Sequence, residues 1–125
     1  MAEAFNALPT LQRMKPVSGV LLLRGPMPGG VVHVRVCLRD APMADGPSEE
    51  VAVQEFCLQG PIPRHIPFLL RPDASPAPRS RWLFDATVSS RPGGQLSKGD
   101  FVLTRAIEFR PEMVSGINLP LDLIL

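Results

Sequence analysis

The chain has no tyrosine, one tryptophan, two histidines and two cysteines among its 125 residues, and each shortage removes a class of function. Two cysteines are too few for a disulfide-built scaffold, and they do not show the paired spacing of a zinc knuckle. No apolar run approaches the roughly 20 residues that carry a helix across a bilayer. Charge of one sign is missing too. Thirteen Lys and Arg against twelve Asp and Glu leave a formal +1, which gives no footprint for nucleic acid or for an anionic membrane surface. Met1 to Pro16 lacks the basic opening, apolar centre and cleavage site of a secretory signal. The expectation is either a cytoplasmic protein or a chain that begins after such a segment.

Signatures of catalysis are absent as well. Gly29-Gly30 and Gly93-Gly94 have neither the Lys-Ser/Thr tail nor the following helix of a phosphate loop, and read as turns. Ser18, Ser48 and Ser97 lack the strand–turn–helix setting of a hydrolase nucleophile. His33 and His65 fall on outward strand positions with no carboxylate or cysteine at ligand spacing. Cys37 shares a strand face with His33, but four residues along a strand span about 13 Å, too far for proton transfer. The residues thus point to no enzyme, no cofactor and no metal.

What is plentiful is punctuation and alternation. Fifteen prolines, ten glycines and β-branched runs favour short strands joined by turns over helices. A hydrophobic share of 45% with 20% charged residues suits one folded domain, expected over 17–125 behind a leader over 1–16. In that leader Phe5, Leu8, Leu11 and Met14 recur about three apart, as in a short helical turn broken by Pro9 and Pro16. Strands are expected at Val17–Leu23, Val31–Arg39, Val51–Leu58, Arg64–Arg71, Arg81–Ser89, Phe101–Ile107 and Ile117–Leu125. Pro67 cannot donate to a ladder and places its strand at an edge or a bulge. Trp82 and Phe84 point inward and are expected at the centre of the core. About seven strands at this spacing predict an all-β fold, a compact two-sheet β-sandwich of immunoglobulin-like architecture.

Val32, Val34, Val36 and Leu38 alternate with His33, Arg35, Cys37 and Arg39, and a turn-rich stretch leads into Val51–Leu58. An antiparallel alignment that sets Leu38 against Phe56, Val36 against Leu58 and Arg39 against Glu55 satisfies both faces, and it sets Cys37 against Cys57. A cross-strand disulfide between Cys37 and Cys57 is one consequence; two free cysteines acting as small apolar residues are the other. With catalysis unsupported, surface binding is left as the function. Leu69 and Leu83 occupy outward phases, Leu21 and Leu23 share a phase opposite Val20 and Leu22, and these four leucines are the candidate partner-binding patch.

The order of motifs resembles the YbaY and YscW lipoprotein family, which includes the pilotins of type III secretion. The matching pieces are Val17-Ser18-Gly19-Val20, Val34–Asp40 followed by Ala44-Asp45-Gly46-Pro47, Val51–Phe56, Ile66-Pro67-Phe68 and the strand around Trp82, over roughly residues 17 to 110. The resemblance implies a compact β-sandwich without catalysis, held at the periplasmic face of the outer membrane by an acylated N-terminal cysteine absent from this chain. It implies the C-terminal segment of a secretin as partner, and no nucleic acid or small-molecule substrate. A YbaY-type envelope lipoprotein with no secretin client, or a carbohydrate-binding or inhibitor sandwich, are the alternatives.

Overall fold

The computed structural model describes residues 15–42, 46–73, 76–91 and 95–125, so the expected leader up to residue 14, with its helical turn, lies outside the described residues. Seven strands follow one another: β1 (Val17–Arg24), β2 (Val32–Asp40), β3 (Glu49–Leu58), β4 (His65–Leu70), β5 (Trp82–Ser89), β6 (Phe101–Val102) and β7 (Ile117–Leu123). The all-β class and the strand count agree with the sequence reading. The layering does not, because the strands form one mixed sheet in the order β3-β2-β5-β6-β7-β1-β4 rather than two packed sheets.

That sheet rolls up until its two ends nearly meet. β1 pairs with β7 in parallel, joining the first and last strands. At the remaining seam, Gln54 Oε1 of β3 accepts a hydrogen bond from the Leu69 N–H of β4 at 2.8 Å. The result is a nearly closed barrel. Alternation says only that each strand has one buried face, so a ring and a sandwich satisfy the same pattern. Pro67 lies on β4, at one end of the strand order, as its missing N–H requires.

The β2–β3 register also differs from expectation. Val34 stands opposite Phe56, Arg35 opposite Glu55, Cys37 opposite Val53 and His33 opposite Cys57, and a shift after Leu38 brings Arg39 opposite Glu50. Phe56 is therefore met four residues earlier on β2 than the pattern predicted. An even-numbered slip keeps every side chain on its proper face, so hydrophobic pattern cannot discriminate against it. The adopted alignment extends pairing to Asp40 and Glu49.

Inside the barrel lie Leu21 and Leu23 of β1, the β2 aliphatics Val32 to Leu38, Ile66 and Leu70 of β4, Phe101 of β6 and Leu119 and Leu121 of β7, all almost fully buried. Trp82 and Phe84 point inward as expected and join Phe109, with the Trp82 and Phe109 rings stacked at 5.8 Å and the Phe84 and Phe109 rings edge-on at 6.1 Å. Beyond β6 the chain stays beside β5, where Leu103 N–H donates to Ala86 O and Phe109 N–H to Trp82 O, but regular strand geometry lasts only two residues. In β7 the expected alternation holds through Leu121, after which Leu123 is half-buried and Leu125 is exposed.

One buried charge anchors the approach to β6. The Asp100 carboxylate accepts from the backbone N–H groups of Ser90 at 3.0 Å and Ser97 at 2.8 Å, and from the hydroxyls of Ser89, Ser90 and Ser97. Burial alone would push its pKa up, but these donors outweigh it and hold the carboxyl below the usual carboxylate range. A folded-state pKa below the unfolded one adds stability that is complete above about pH 4 and is lost as pH falls through the folded value. Asp100→Asn puts a donor among donors and should cost about 2–3 kcal/mol at pH 7. Denaturant titrations at pH 7 and at low pH should show the gap between the two proteins narrowing in acid.

Candidate functional site

The outward positions of β2, β3 and β5 assemble a continuous face. Pairing places Arg35 between Glu55 and Thr87, Cys37 between Val53 and Asp85, and Arg39 between Glu50 and Leu83. Arg35 donates through Nε to Glu55 Oε1 at 3.2 Å, through Nη2 to Glu50 Oε2, and through Nη1 to Cys37 Sγ at 3.6 Å. Arg39 Nη2 donates to Glu50 Oε2 at 3.2 Å, and its Nε lies 3.6 Å from Asp85 Oδ2. The chain of charges runs Glu55, Arg35, Glu50, Arg39, Asp85.

Its electrostatics follow from these contacts. The hydrogen bond to Glu50 holds the Arg35 guanidinium protonated against the cost of burial, and the same bond draws the Glu50 carboxyl below its ordinary range. Cys37 is buried beneath this network, and burial, aided by the Asp85 charge, pushes its thiol pKa up. Partly exposed ion pairs each add at most about 1 kcal/mol, so the network does more to position side chains than to stabilise the barrel.

Beside it lies an open groove of 680 Å³. Asp85 and Thr87 of β5 lie between Arg35 and Arg39 on β2 at one side and Val102 on β6 at the other, and Leu96 also lines it. Leu96 is 38% exposed and has no need to be apolar for the sake of the core. The groove offers hydrogen-bond acceptors next to aliphatic surface.

The four leucines named from the sequence do not form this surface. Leu21 and Leu23 are buried inside the barrel, and Val20 and Leu22 take the outward phase instead. β1 is apolar on both faces, so its phase is not readable from the sequence. Leu69 is outward and half-buried on β4, and Leu83 outward and half-buried on β5 beside Arg39, but β3 and β2 stand between those strands. Only Leu83 borders the charged face.

The cysteines are both free, Cys37 buried and Cys57 exposed. The disulfide expectation fails with the register, since Cys37 faces Val53. Cys57 instead meets His33, with Sγ 3.2 Å from Nδ1, because the adopted register sets these two residues opposite each other. Among the described residues no group of three His, Cys, Asp or Glu side chains could hold a metal ion. A second groove, of 400 Å³, lies at Trp82 and Phe109 between Pro76, Pro78 and Pro111. Trp82 is 5% exposed and stacked on Phe109, so it has no free ring face for a sugar.

No protein-family model matches the chain, and no curated protein matches its sequence. Among solved structures, the chain is similar to an alternative pilotin from the type II secretion system of Vibrio cholerae. The TM-score is 0.71 at 20% identity, covering 89% of this chain and 97% of that one. At that identity the likeness establishes a shared pilotin-like fold.

Proposed function

We propose that the chain is a non-catalytic pilotin that holds the C-terminal segment of a secretin on the outer face of β3, β2 and β5 and assists the secretin's localisation or assembly. The observation that carries this reading is the fold likeness to a pilotin over 89% of the chain. The groove lined by Arg35, Arg39 and Leu96 supplies a surface on which a segment could lie. The motif order over roughly residues 17 to 110 favours a type III system, whereas the structural neighbour serves a type II system. Anchoring at the periplasmic face of the outer membrane belongs to the same proposal. It requires a lipid-bearing cysteine ahead of this sequence with more than one acyl chain, because a single chain binds a bilayer only marginally.

The test is capture by the immobilised chain of C-terminal segments from type II and type III secretins. Specific retention of one of them is the expected result, and the retained segment identifies the system. Retention of neither would remove the secretin and favour an envelope lipoprotein of the YbaY type without such a client.

A further inference from the structure

Resting on the reading of the groove as a partner site, we infer that it selects a segment presenting a lysine or arginine beside an aliphatic side chain. Among the described residues, three carboxylates, Glu50, Glu55 and Asp85, and two guanidiniums, Arg35 and Arg39, are the charged groups that line it, a balance of one negative charge. The donors are partly engaged: of five N–H groups each, Arg35 commits three, to Glu50, Glu55 and the Cys37 sulfur, and Arg39 commits one to Glu50 while its Nε lies 3.6 Å from Asp85. The spare acceptor sites outnumber the spare donors, since each of the three ionised carboxylates offers about four lone-pair sites. Glu55 uses one oxygen at 3.2 Å and its side chain is 66% exposed, while Asp85 meets Arg39 only at 3.6 Å and is 43% exposed.

An anionic side chain entering here meets three carboxylates against two guanidiniums that already face them. A cationic one finds Asp85 and Glu55, and its methylene stem or an adjacent aliphatic residue finds Leu96 and Val102. Asp85 lies two residues from Thr87 in the same outward phase of β5, and Thr87 pairs with Val102 on the next strand. Charge complementarity of this kind fixes register and raises the association rate more than it adds affinity.

Two labelled model peptides with the same leucine pattern, one carrying lysines and the other glutamates at the remaining positions, test the inference by fluorescence anisotropy against the intact chain. The lysine peptide should bind at least tenfold more tightly than the glutamate peptide, and more weakly as salt is raised. Asp85→Lys should abolish that preference, and Glu55→Lys, at a more exposed position, should reduce it and serves if the first variant does not fold. Equal binding of both peptides, or a preference untouched by either folded variant, would overturn the inference. Secretin capture that persists in Asp85→Lys overturns the groove's charge selection and leaves the pilotin reading intact. Lysine-peptide binding without capture of any secretin segment does the reverse.

Discussion

Replacing Phe101 with alanine should lower folding stability by about 4 kcal/mol, the upper range for truncating a fully buried aromatic. Phe101 is 0% exposed and belongs to the shortest strand of the barrel. It pairs with Val88 of β5 on one side and with Leu123 of β7 on the other. The rest of that junction is thin, because β6 has two residues and the chain beyond it follows β5 irregularly. Truncation therefore empties the interior at the place where two halves of the sheet are held together by the fewest backbone bonds. A denaturant titration should show a lower midpoint, and a loss below about 1 kcal/mol would mean that the ring is not packed as described.

Gly19→Ala should cost about 3 kcal/mol, at the top of the range for forcing one extra carbon into a packed site. Gly19 lies opposite Ile117 in the parallel pairing of β1 with β7. A Cβ there would run into the carbonyl oxygen and carbonyl carbon of Ile117, and neither is the movable end of a side chain. The strands would have to separate, and this is the pairing that joins the chain's first and last strands. Gly29→Ala is the matched control: its added carbon meets nothing within 4 Å, and its effect should stay within about 0.5 kcal/mol.

These two sites mark the boundary of what the sequence reveals. Individual strands were legible, since Val32, Val34, Val36 and Leu38, or Trp82, Phe84, Ala86 and Val88, have one apolar face each. Closure was not, because the β1–β7 pairing depends on a contact between Gly19 and Ile117 that leaves no periodic trace. The phase of Leu21 and Leu23 was hidden because Val20 and Leu22 are equally aliphatic. The charge network is half visible: the pattern predicts an Arg and Glu pairing across β2 and β3, but an even register step gives Glu55 to Arg35, and the irregularity after Leu38 then brings Arg39 opposite Glu50. Asp85 could not be linked to them at all, because β2 and β5 are separated by more than forty residues of chain and meet only through the sheet order.

The claim on which the functional account rests is that rolling a single sheet creates a partner groove on the outside of β2, β3 and β5. Chemical-shift mapping of the isotope-labelled chain with whichever secretin segment it captures tests this most directly. The account predicts perturbations centred on Asp85, Thr87, Leu96 and Val102. Perturbations confined to Val20, Leu22 and Leu69, on β1 and β4 and outside the groove lining, would contradict it.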